Sequence, residues 1–179
     1  MTPMAGRVTI GLYNSYDPIK FHESHRRALA RAGPLALAFD CNLTTFGFPY
    51  DKELSTPHEI ANWVSTTTSI GENGAYLIEL SQKGRFSSFE FPKKGFPPQL
   101  GMAIATTRKP EHAKSVSPAD VRSKLKSGQS ILLVFGLGPH GLPKEVFAIC
   151  EKHMDITSRG LSLETCTALG AVIGSLLGK

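Results

Sequence analysis

The residues most able to do chemistry cluster around one glycine-rich turn. Phe135 to Pro143 reads FGLGPHGLP and follows the apolar run Ile131 to Phe135. Its Gly136-x-Gly138-x-x-Gly141 spacing matches the turn that presents backbone N–H groups to a pyrophosphate. The context argues against that use. Only 38 residues follow Gly141, too few for the second half of a dinucleotide fold. Pro139 and Pro143 remove two backbone donors, no acidic residue ends a strand about 20 positions on, and no Gly-Lys-Ser/Thr follows. The turn is suited instead to wrapping a small ligand with close backbone contacts. His140 sits inside it as a candidate base. Glu164, near the start of the last helix, is a candidate general base, or equally a favourable charge at a helix N-terminus.

Basic residues gather nearby. Arg26, Arg27 and Arg31 form one cluster, and Arg108, Lys109, Lys114, Arg122, Lys124 and Lys126 a second. With a net charge of +5 and pI near 9.2, they favour a polyanionic partner, although a solvated face gives the same pattern. An arginine fork matches phosphate geometry. His22 and His25 lie beside Arg26 without a carboxylate cluster or Cys pair, so no metal is expected. The three cysteines are scattered, which argues for free thiols and against a disulfide frame. No GxSxG elbow points to a hydrolase.

These residues need a scaffold, and the pattern predicts a parallel α/β sheet in one domain over residues 1–179. Val8 to Leu12 reads as a strand. Asp17-Pro18 predicts a helix to Ala32, stopped by Gly33-Pro34, and Leu35 to Phe39 a second strand. The Thr56-Pro57-x-Glu59 box starts a helix over 57–69. Tyr76 to Leu80 fits strand or helix. Arg85 to Pro98 reads as an irregular connection whose phenylalanines cover the core. Gly101 to Ala105, Ile131 to Phe135 and His153 to Ile156 follow as strands. Helices are expected from Ser117-Pro118 to Gly128, from Pro143 to about Lys152 and from Leu163 to Leu177. On the last, Ser162, Cys166, Gly170, Gly174 and Gly178 fall four apart, a small-residue stripe for tight packing or for a second copy. The composition, 41% hydrophobic and 20% charged, is that of a soluble domain. With no apolar run long enough to span a bilayer and no secretory signal pattern, a cytoplasmic location is the default.

Three segments together resemble the SPOUT (SpoU–TrmD) class of S-adenosylmethionine-dependent RNA methyltransferases: IATTRKP, LLVFGLGPHGLP and DITSRGLSLETCTALGAVIG. The likeness covers roughly Gly101 to Lys179. It implies a C-terminal trefoil knot, a rare exception to unknotted chains, with S-adenosylmethionine as cofactor, tRNA or rRNA as partner, and a homodimer. It implies a cofactor pocket from Ala105, Thr106, Thr107, Phe135, Gly136, Leu137, Gly138, Gly141, Ile156, Leu161, Ser162 and Leu163, with RNA contacts from Arg108, Lys109 and His140. Arg26 or Arg27 would be the counterpart of an arginine often used in ribose 2′-O-methyl transfer. Two positions depart from the family pattern: Gly138, where many members carry an acid, and Glu164, where asparagine is usual. The alternatives are a SPOUT-fold RNA-binding dimer without catalysis and an unrelated nucleotide-binding α/β enzyme.

Overall fold

The computed structural model describes residues 5–67 and 74–178. Six parallel strands form one sheet in the order β3-β2-β1-β5-β4-β6. They are β1 (Val8–Tyr13), β2 (Asn42–Phe46), β3 (Phe86–Phe89), β4 (Met102–Thr106), β5 (Ile131–Gly136) and β6 (Lys152–Met154). The central pair β1 and β5 is buried along nearly its whole length, which explains the unbroken apolar run of β5. Alternate residues serve opposite faces. Ile131, Leu133 and Phe135 join the larger core, while Leu132 and Val134 join the smaller one.

The larger core is covered by α1 (Glu23–Ala38), α2 (Pro57–Thr67), α3 (Gly74–Gln82), α4 (Pro118–Lys126) and α6 (Thr165–Leu177). The smaller core is closed by α5 (Lys144–Ile149) and by Phe89 and Phe96. Helices therefore lie on both faces. No described helix is long and apolar enough to cross a membrane.

Two local signals were outvoted in α1. Asp17 caps only a turn: its Oδ1 accepts from the backbone N–H of Ile19 and Lys20 at 2.9 and 3.0 Å, and the helix starts after His22. Gly33-Pro34 does not stop it, and the strand expected at Leu35 to Phe39 is helix. Burial of Leu29, Ala30, Ala32, Gly33 and Ala36 on one face outweighs the cost of an interior proline. Gly33 lets α3 come close, since a Cβ there would lie 3.3 Å from the Leu77 nitrogen. The true stop is Asp40, at φ +55°. The N–H of Cys41 donates to Ala36 O at 2.8 Å and that of Asp40 to Leu37 O at 3.4 Å, the paired bonds of a Schellman ending. β2 follows at Asn42.

Elsewhere the differences are smaller. Tyr76 to Leu80 is helix, and the connection after Arg85 holds the edge strand β3. The helix after Pro143 has only six residues, because the chain must turn at Cys150 to pair β6 with β4. The expected strand end at Ile156 retreats to Met154. The expected end of α2 at residue 69 lies outside the described residues.

Candidate functional site

The carboxyl ends of β1, β5, β4 and β6 meet at one edge of the sheet, where ligands bind in open α/β folds. A cleft of about 1110 Å3 opens there. Three loops build it, and each is fastened to its neighbour by a specific bond.

The first loop follows β4. Thr106 Oγ1 donates to Val134 O at 2.8 Å, tying β4 to β5, and Thr107 N donates to Met154 O at 3.0 Å. The second is the glycine turn after β5. A Cβ on Gly136 would lie 2.8 Å from the Gly141 carbonyl carbon, so the turn can fold back on itself only with glycine there. Gly141 has φ +70°, a left-handed conformation that glycine adopts without penalty. The N–H of Leu137 is shared between Tyr13 O at 3.0 Å and Ser15 Oγ at 3.1 Å, which docks the turn on the β1–α1 loop. The third loop leaves β6. Asp155 accepts from Thr157 N and Thr157 Oγ1 through Oδ1, and from Gly160 N through Oδ2, each at 3.0 Å. Thr165 Oγ1 then donates to Gly136 O at 2.8 Å, fixing the start of α6 over the glycine turn.

The cleft gathers most of the residues singled out by sequence. Thr106, Thr107, Phe135, Gly136, Leu137, Gly138, Gly141, Ile156, Leu161, Ser162 and Leu163 line it, as do Arg27, Arg108, Lys109, His140 and Glu164. Two expected residues fall elsewhere. Ala105 is fully buried, with its methyl in the smaller core, because strand alternation turns it away from Thr106. Arg26 is about 100° out of helical phase with Arg27. Its guanidinium lies 4.7 Å from the Trp63 ring centroid and 5.7 Å from that of Phe21, and pairs with Glu23 at 3.3 Å.

One residue was missed as a site member. Arg31, one turn after Arg27, lines the cleft beside Cys166. Both residues fall inside the helix expected to Ala32, so the i, i+4 spacing was enough to show it. The Cys166 thiol has its pKa raised by burial, then by Glu164, against the opposing Arg31. It is not poised as a nucleophile.

Glu164 is the N-cap of α6. Its Oε2 accepts from Cys166 N at 3.0 Å and Thr167 N at 3.2 Å. Gly138 also has a structural reason: a Cβ there would lie 2.6 Å from Ser15 O, so any side chain at this position forces the backbone to shift. Among the described residues, no group of three or more His, Cys, Asp or Glu is placed to hold a metal.

A cleft with backbone walls, apolar side chains and several basic ones fits a nucleoside-sized ligand beside a polyanion. The same architecture occurs in solved methylases. A probable methylase family protein from Haemophilus influenzae is 18% identical, with 96% of this chain and 65% of that one covered and a TM-score of 0.58; this chain thus spans just under two-thirds of that protein. A TrmH/SpoU tRNA modifying enzyme from A. aeolicus is 16% identical over 97% of this chain and 77% of that one, at a TM-score of 0.53. The fold is thus that of SpoU/TrmH-type methylases. The chain itself belongs to the family described as protein of unknown function DUF531, whose model matches residues 8–177. A curated relative, the uncharacterized protein MJ0224 of Methanocaldococcus jannaschii, is 45% identical over 166 residues, 93% of this chain and 90% of that one.

Proposed function

We propose that this protein is an S-adenosylmethionine-dependent RNA methyltransferase of the SPOUT class, cytoplasmic, acting on tRNA or rRNA, with a ribose 2′-hydroxyl favoured over a base. One observation carries the reading: three loops far apart in sequence, Thr106 to Lys109, Gly136 to Leu142 and Asp155 to Glu164, converge on one cleft at the carboxyl edge of a methylase-type sheet. Bound there, S-adenosylmethionine would supply an electrophilic methyl group. Phe135, Leu137, Leu142 and Ile156 give the cleft the apolar walls an adenosine needs. The chain has then to orient the acceptor, exclude water and remove its proton.

Arg27 and Arg31 are placed to hold an acceptor phosphate or polarise its hydroxyl, with Arg108, Lys109 and His140 adding to the basic lining. Arg26 has no part in this. Two carboxylates line the cleft. Asp155 commits both oxygens to its own loop, whereas Glu164 commits only Oε2 to the backbone of α6. Glu164 is therefore the better proton acceptor of the two. Its capping role equally favours a second reading, a SPOUT-fold RNA-binding dimer without catalysis.

A trefoil knot over residues 101–179 and a homodimer belong to the same proposal. Supporting the knot, β6 lies at the sheet edge next to β4, yet α6 returns to pack on α1 and α4. Supporting the dimer, Gly170 and Gly174 face open space on α6, and Leu161 is 62% exposed at the cleft mouth.

Calorimetry with S-adenosylmethionine and its demethylated product tests the reading. Micromolar binding of both is expected, and binding of neither would overturn it. Methyl incorporation into fractionated RNA should vanish in Arg31→Ala and in Glu164→Gln with cofactor binding retained. Cofactor binding without incorporation into any fraction would establish the second reading.

A further inference from the structure

A second, smaller hollow of about 460 Å3 adjoins the cleft. Tyr13, Tyr16, Pro18 and Phe91 contribute to its walls, and Lys144 is the one cationic side chain among its lining besides His140. It is not a separate chamber. Tyr16, His140, Gly141 and Leu142 line both spaces, so the glycine turn is the wall between them.

Tyr16 is the unusual member. It is 48% exposed, yet its ring is held. Its centroid lies 5.2 Å from that of His22 and 5.8 Å from that of His25. Those two histidines are themselves fixed. His25 is fully buried and bonds Asn14 Oδ1 through Nε2 at 2.9 Å, and His22 bonds Asp17 at 2.8 Å. The backbone N–H of Tyr16 donates to the same Asn14 Oδ1 at 3.2 Å. A half-exposed aromatic with so much support has already lost the freedom that a ligand would otherwise have to remove.

We propose that this hollow receives the unpaired nucleobase next to the nucleotide in the cleft, with Tyr16 as its stacking platform and Lys144 on the adjoining phosphate. The proposal rests on the RNA methyltransferase reading and narrows it: the substrate is a single-stranded or loop region whose bases can be splayed apart, the form in which proteins read RNA by stacking. The volume is on the scale of one nucleoside and too small for a helix of a partner protein. A cation in the lining of an aromatic hollow matches the pairing of base and phosphate in a single strand.

The test uses a short single-stranded RNA carrying 2-aminopurine, with the same sequence as a duplex for comparison. The full chain should quench the fluorophore in the single strand and not in the duplex. Tyr16→Leu, which keeps bulk but not the π-face, should lose the quenching and weaken single-strand binding roughly 5- to 150-fold, the range that stacking on one aromatic carries. Tyr16→Phe should retain both. Unchanged affinity and quenching in Tyr16→Leu would overturn the proposal. So would loss of binding that tracks conversion to monomer on size-exclusion chromatography, since the ring would then serve a second copy of the chain. Calorimetry on the same samples separates the two readings. Tyr16-dependent quenching without S-adenosylmethionine binding would sink methyl transfer and leave the stacking site. Cofactor binding with Tyr16-independent RNA binding would do the reverse.

Discussion

Acidification should loosen this protein through one side chain, His25. The ring is fully buried on α1. Its Nδ1 accepts from the backbone N–H of His22 at 2.9 Å, so the ring proton resides on Nε2 and donates to Asn14 Oδ1 at 2.9 Å. A second proton would set two donors against each other at Nδ1. Burial, reinforced by His22 and opposed by Asp17, lowers its pKa from 6.5 to about 4. Above pH 6.5 neither the folded nor the unfolded state protonates it. Between 6.5 and about 4 the unfolded chain takes up a proton that the folded chain refuses, so stability falls as pH falls through that window. At about 1.4 kcal/mol per unit, the loss reaches roughly 3 kcal/mol. Asp17 does not overlap. Its carboxyl is held well below the usual range, first by His22 and then by the N–H groups of Lys20 and Ile19, so its contribution is lost only below its ordinary 3.8. Urea unfolding of the wild type and of His25→Gln, followed from neutral pH to about pH 4, isolates the effect. The variant should have the shallower pH dependence, by about that amount. Parallel loss in both proteins would refute the assignment.

Four further outcomes are expected. Gly138→Ala forces a Cβ against Ser15 O and should cost about 1–3 kcal/mol, seen as a lower urea midpoint together with weaker cofactor binding by calorimetry. Glu164→Ala should lose about 1 kcal/mol as an N-cap, while Glu164→Gln, which keeps an acceptor oxygen, should stay within a few tenths in thermal unfolding. Arg31→Ala should weaken RNA binding in filter assays at low salt, and the salt dependence of binding should shrink by about one phosphate contact; Arg26→Ala should change neither. A Cβ at Gly170 meets no atom of the described residues within 4 Å, so Gly170→Leu should leave the monomer folded by circular dichroism and abolish the proposed dimer in light scattering.

The sheet was legible because its strands carry their burial in their composition. Ile131 to Phe135 is apolar on both faces, which a covered parallel sheet requires, and Val8, Ile10 and Leu12 make one face of β1 apolar. The capping boxes were legible because they are self-contained. Ser117 and Asp120 exchange bonds of 3.1 and 3.0 Å, and Thr56 and Glu59 bonds of 3.2 and 2.9 Å, with no help from elsewhere. Helix α1 was not legible, because its extent is decided by partners distant in sequence. Gly33 and Pro34 read locally as a stop, but the buried face they interrupt is completed by Leu77 on α3. That error did not reach the site: Arg31 lies inside the helix expected to Ala32, and helical phase alone groups it with Arg27 and sets Arg26 apart. Ala105 was misplaced for a different reason. The resemblance named a segment, and only the pleat decides which neighbour in it faces the cleft. The constraint on Gly138 was likewise invisible, since it comes from Ser15, more than a hundred residues earlier in the chain.

The glycine turn has a consequence of its own. It lies between the cleft and the adjoining hollow, and it is pinned at its start, by Ser15 at Leu137 and by Thr165 at Gly136. A guest that pressed the turn from one side would reshape the space on the other. Donor and acceptor would then read each other's presence through a few ångströms of backbone, and by linkage the factor by which each alters the other's affinity is the same.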